Sequence, residues 1–204
     1  MFYRENGQFK TTYRADQQIF PILQDRMAML ALLVVAFFVV PLVASDYTFQ
    51  AILIPFLIMS LAALGLNILV GYCGQISLGT GAFMAVGAYA AYNLQVRFDG
   101  MPLLVSLLGG GLVAMVFGMV FGLPSLRIRG LYLAVATLAA QFFMDWLTSR
   151  AKWVTNNSSS GSVSAGPLSI AGWQIDTPME KYLLCLSILC VIGLAAKNLV
   201  RSAI

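Results

Sequence analysis

Between Asp46 and Arg97 lie 50 consecutive residues without an Asp, Glu, Lys or Arg. A helix needs about 20 apolar residues to cross a bilayer core of about 30 Å. The uncharged run therefore has room for two crossings. The rest of the chain follows the same trend. Of its 204 residues 60% are hydrophobic and 10% charged, and the mean hydropathy is +0.85. Soluble domains average roughly 45–50% apolar and 25% charged, and one this small could not bury the excess. The composition excludes soluble, fibrous and disordered classes and defines an all-α, polytopic transmembrane helical bundle.

Six apolar segments predict six spans, at 27–44, 49–70, 76–94, 103–123, 131–147 and 182–200. A Gly-rich break at 71–81 separates the second from the third. Pro124 is expected to end the fourth helix and Gly130 to open the fifth. Residues 1–26 are polar, of mixed charge and without a cleavage signal, and read as a cytoplasmic tail. Residues 27–204 form the membrane domain, and 148–181 its one long outer loop. If the N-terminus is cytoplasmic and all six segments cross, eight basic residues lie inside and four outside, which places both ends in the cytoplasm. Trp146, Trp153 and Trp173 all lie in or beside the long loop, as expected of a loop at the membrane surface. Asn156 and Asn157 each begin an N-x-S sequon, more simply read as part of a polar loop than as a glycosylation site.

Several chemistries are excluded by what the sequence lacks. There is no histidine. Cys73, Cys185 and Cys190 form no C-x-x-C pair and read as packing residues, not as metal ligands. No GxxxxGK[ST] phosphate loop occurs, so neither catalytic residues nor a bound metal or cofactor is expected. The net charge of +4 reflects basic membrane flanks and does not imply nucleic acid. Deep charges are scarce, which argues against a self-powered secondary carrier and against a voltage sensor.

The most informative stretch holds Gly71, Gly74, Gly79 and Gly81 with Gln75, Ser77 and Thr80 among them. Irregular backbone is tolerated in a bilayer only where protein covers it or where it lines a watery cavity. Broken helices can hold a zwitterionic solute through backbone N–H and carbonyl groups. Small residues also let helices pack closely, and both readings stand. Gly109, Gly110 and Gly111, followed by Gly118 and Gly122, read as packing. Thr137 and Gln141 share a face of the fifth segment with Ala134, and Tyr132 and Thr137 are candidates to line a path. Asp145 is expected near the outer interface, paired locally. Arg127 and Arg129 make a basic turn, either a partner contact or an inside anchor.

Two motifs carry a resemblance. Gly71, Gly74, Gln75, Ser77, Leu78, Gly79, Phe83, Gly87, Ala88 and Tyr89 fit one pattern. Arg127, Gly130, Tyr132, Ala134, Thr137 and Leu138 fit a second. Together they resemble the LivM-type permeases of bacterial branched-chain amino-acid ABC importers. The resemblance implies a non-catalytic subunit in the inner membrane. It would work with a second homologous permease, two ATPase subunits that use ATP, and a periplasmic substrate-binding protein. It suggests Gln75, Ser77, Gly79, Gly81, Tyr132 and Thr137 along the path, and Arg127, Arg129 and Arg201 toward the cytoplasmic partner. Two departures stand out. Family members often carry a T-G-G-like loop after the fifth helix, where this chain has Thr155-Asn156-Asn157. Such permeases are also usually longer, so the chain is expected to be an N-terminal portion that stops before the coupling loop. The alternatives are a passive channel or secondary carrier for small polar solutes such as urea and amides, or a structural membrane subunit.

Overall fold

A computed structural model of the chain describes residues 23–98, 100–126, 132–157, 163, 168–170 and 173–201. Helix α1 starts at Leu23, inside the expected tail, and runs through Leu23–Val34, Val35–Val39 and Val40–Val43. Ser45 turns the chain and caps α2, its hydroxyl accepting from Thr48 N–H at 3.4 Å. Helix α2 spans Asp46–Tyr72. The third segment begins later than expected, as α3 at Thr80–Arg97. Helix α4 covers Leu103–Leu126, passing the stop expected at Pro124. A proline gives up one N–H and crowds the preceding turn, but the residues after it can remain helical. Helix α5 covers Tyr132–Arg150, and the expected opener, Gly130, lies outside the described residues. Helix α6 covers Pro178–Arg201. It opens with a reciprocal cap in which Thr177 Oγ1 accepts from Glu180 N–H and Glu180 Oε2 accepts from Thr177 N–H, both at 3.3 Å. Pro178 occupies the first turn, where its missing N–H costs nothing.

Among the described residues, four stretches are long and apolar enough to cross a membrane: Gln24–Val43, Asp46–Tyr72, Leu103–Leu123 and Pro178–Val200. Helices α3 and α5 fall short. Asn93, Gln95 and Arg97 dilute the first, and Thr137, Gln141 and Asp145 the second. A feature absent from the sequence reading is a small antiparallel hairpin in the long loop. It pairs β1, Leu168–Ile170, with β2, Trp173–Ile175.

Most of the buried apolar residues among those described fall into two clusters. In the first, Phe49 and Leu57 of α2 meet Tyr182 and Leu186 of α6, with Ala36, Phe37 and Val40 of α1 against them. Both α1 and α2 pass through a wide, π-type turn just before a proline. In α1, Val40 N–H donates to the Val35 carbonyl, five residues back. In that register the next donor, for the Ala36 carbonyl, would be residue 41, which is a proline without an N–H. The Tyr182 hydroxyl supplies the missing donor, reaching the Ala36 oxygen at 3.0 Å. Its ring stacks obliquely on Phe49, centroids 5.3 Å apart.

The second cluster joins Ala82 and Val86 of α3 to Ala140 and Met144 of α5, with Ala114, Phe117 and Phe121 of α4 packed on it. Gly110 accounts for the closeness of α3 and α4, since a Cβ there would fall 2.5 Å from the Gly87 carbonyl oxygen. A Cβ at Gly109 would meet the end of the Leu94 side chain, whereas Gly111 has open space. Helices α3 and α5 run parallel. Gly79 and Gly81 at the start of α3 lie beside Thr137 and Gln141, and Asn93 and Arg97 near its end reach Val154 and Trp153.

Candidate functional site

The site is built where the Gly-rich break meets α5. Helix α2 ends in another wide turn, with Cys73 N–H donating to the Ile68 carbonyl at 3.3 Å. Gly74 then takes a φ of +64°, which favours glycine. This swings Gln75 N–H back to the Leu69 carbonyl at 3.2 Å, closing the helix end much as a left-handed cap does. The chain next passes α5 as irregular backbone before α3 begins at Thr80. Leu78 N–H donates to Thr137 Oγ1 at 3.0 Å, and the same hydroxyl donates to the Ala134 carbonyl at 3.0 Å. One threonine thus serves an irregular backbone N–H that hydrocarbon could not.

Glycine at 79 is a steric requirement, because a Cβ there would collide with the Thr137 backbone carbonyl. Gly81 is looser. Its nearest neighbour is the Gln141 amide, whose Oε1 would lie 2.9 Å from a Cβ. The geometry thus gives Gly74 a conformational reason and Gly79 a packing reason.

Of the residues expected along a path, the fold gathers Ser77, Gly79, Gly81 and Thr137. Ser77, Gly79 and Thr137 are buried, Gln75 is half-buried and Gly81 is exposed. Tyr132 stands apart, 57% exposed at the start of α5, and no described hydrogen bond ties it to the break. Arg127 and Arg129 lie outside the described residues. Arg201 is the last residue of α6, and its side chain lies outside the description.

A second tie, at the far end of the α3–α5 pair, was not anticipated. Asn93 Nδ2 donates to the Val154 carbonyl at 2.9 Å, and Arg97 Nη2 to the Trp153 carbonyl at 2.9 Å. The Arg97 guanidinium also sits 3.8 Å above the Trp153 ring centroid, a favourable cation–π stack. The available signal was the spacing of Asn93 and Arg97, four apart on one helical face. The turn they hold ends with Asn157 N–H on the Lys152 carbonyl at 2.8 Å, with Thr155 buried inside. Asn156 and Asn157 take φ of 50° and 63°. After glycine, asparagine enters that region most readily, so this pair can make the turn without glycine.

A helical membrane chain whose glycine break docks on a neighbouring helix through two distant motifs points to a transport permease. The family described as "Branched-chain amino acid transport system / permease component" matches residues 48–201, and the chain belongs to it. It is 42% identical over 82 residues to the "High-affinity branched-chain amino acid transport system permease protein LivM" of Escherichia coli (strain K12). The protein of the same name from Salmonella typhimurium (strain LT2) matches to the same extent. The aligned stretch makes up 40% of this chain but only 19% of either relative. No solved structure matches significantly.

Proposed function

We propose that this chain contributes to the membrane pathway of an ABC importer for branched-chain amino acids. The observation that carries this reading is the family match, which takes in both the glycine break and the helix on which it docks. In the proposed assembly a second homologous permease completes the pathway and two ATPase subunits power it. A periplasmic binding protein delivers leucine, isoleucine or valine. The chain itself catalyses nothing and needs no cofactor. It lies in the bacterial inner membrane with the 127–129 turn toward the cytoplasm and the 148–181 loop outside, the orientation favoured by its basic residues.

The test is labelled-leucine uptake by cells whose only branched-chain importer contains this protein. Uptake should require both the chain and ATPase-competent partners, and the purified chain should bind no ATP. A thiol reagent added from outside should label a cysteine placed at Ser160. Uptake that persists without the chain, or without ATP hydrolysis by its partners, would overturn the assignment. Labelling only after permeabilisation would reverse the orientation.

A further inference from the structure

Helix α5 carries an unusual carboxylate. Asp25, Asp46 and Glu180 each lie in the first turn of their helix. Asp145 alone among the described acidic residues lies deeper in a helix, more than a turn before the end of α5. Its side chain is exposed on the chain, and its one described hydrogen bond comes from Gln141 Nε2, at 3.5 Å. No basic side chain stands within ion-pair distance of it among the described residues. A carboxylate on a helix of a membrane protein, without a cation beside it, normally faces water, a cavity or a partner, not lipid.

Its surroundings are polar along a single line. Thr137, Gln141 and Asp145 are spaced four apart, so they follow one face of α5. Thr137 is consumed in holding the break. Gln141 is half-buried between Gly81 and Asp145, with Oε1 toward the glycine and Nε2 toward the carboxylate. Gly81 is exposed and has no side chain to block the approach. The strip thus offers an amide oxygen and a carboxylate, both acceptors, one helical turn apart. An ammonium group, with three donors and a positive charge, is the complement of such a set.

We propose that Gln141 and Asp145 receive the ammonium group of a zwitterionic amino acid as it passes the glycine break. This rests on the permease function proposed above. The substrate's N–H groups would donate to an Asp145 carboxylate oxygen and to Gln141 Oε1, leaving its apolar side chain to the neighbouring helices.

The experiment uses the complete transporter in nanodiscs without its binding protein and three probes of one carbon skeleton. Leucine carries both charges, 3-methylbutylamine only the ammonium, and 4-methylpentanoate only the carboxylate. Asp145→Asn should weaken leucine and the amine by roughly tenfold or more, the size of one charge-assisted hydrogen bond, and leave the acid unchanged. Asp145→Glu should retain part of the amine affinity. Gln141→Leu, which keeps the bulk and removes the acceptor, should weaken the same two probes in an independent background. Unchanged leucine and amine affinities in Asp145→Asn and Gln141→Leu, or no binding of the amine by the unmodified complex, would overturn the proposal. Leucine uptake by unmodified cells is measured alongside. Its absence would instead sink the permease reading, so the two failures are distinguishable.

Discussion

Leu78 and Thr137 are 59 positions apart in sequence, yet the backbone N–H of the first donates to the hydroxyl of the second at 3.0 Å. Thr137→Val keeps the shape of the side chain and removes the acceptor, leaving a part-buried N–H without a partner. The expected loss is about 1–3 kcal/mol, seen as a lower melting temperature of the detergent-solubilised protein. Thr137→Ser should stay near the parent. Equal stability of the valine and serine variants would show that this bond contributes nothing.

The glycines should sort by their neighbours. Gly79→Ala sets a methyl against the Thr137 backbone, which cannot give way as a side-chain end can. Overpacking of this kind costs about 1–3 kcal/mol, and the protein should be depleted from the membrane or markedly less heat-stable. Gly111→Ala points into open space on α4 and should be neutral or slightly stabilising, since alanine is the better helix former. Membrane levels and thermal unfolding measured in parallel decide it, and a reversed order would refute the close approach.

Tyr182→Phe keeps the stack on Phe49 and removes the donor to the Ala36 carbonyl. The expected cost is about 0.6–1.7 kcal/mol, the range for hydrogen bonds between membrane helices. Pro41→Ala restores a backbone N–H that can serve the same carbonyl. The tyrosine change should therefore cost less in the Pro41→Ala background, and a double-mutant cycle reads the difference. Strict additivity would mean that the hydroxyl and the proline are unrelated.

At the other end of the α3–α5 pair, Arg97→Gln removes the guanidinium from Trp153 and Asn93→Leu the bond to Val154. The double variant should be cut faster by protease within 151–157, while the single variants fall between it and the parent. An unchanged cleavage rate would mean that the turn holds itself.

Hydropathy located the six long helices among the described residues, but only four of them are long and apolar enough to cross a membrane, so the expected count of six spans does not follow from them. The glycine break was legible too, since four glycines among polar residues cannot form an ordinary span. What those glycines do was not. Gly79 is buried against a backbone carbonyl and Gly81 is exposed beside a side-chain tip, and both neighbours belong to α5, far away in sequence. The wide turn in α1 was hidden for a similar reason. Pro41 announces a fault in the helix, but where the stranded carbonyl finds a donor is decided by Tyr182. The hairpin escaped because two three-residue strands are too short to show an alternation. Thr155-Asn156-Asn157 read as a departure from a glycine-bearing motif, and the sequence did not show that both asparagines themselves take positive φ.

Among the described hydrogen bonds, those that tie α3 to α5 stand at the two ends of the pair, like the end rungs of a ladder packed with apolar side chains between. One rung is Leu78 on Thr137, and the other is Arg97 and Asn93 on Trp153 and Val154. The rails between them are about 27 Å long at 1.5 Å per residue. Sliding one rail by a single residue would break both rungs together, so neither helix can creep past the other while the ends hold. A force applied at the Trp153 turn therefore cannot dissipate as slippage. It reaches the glycine break as tilt or rotation of the whole frame, so whatever presses on one end of the pair moves the backbone at the other.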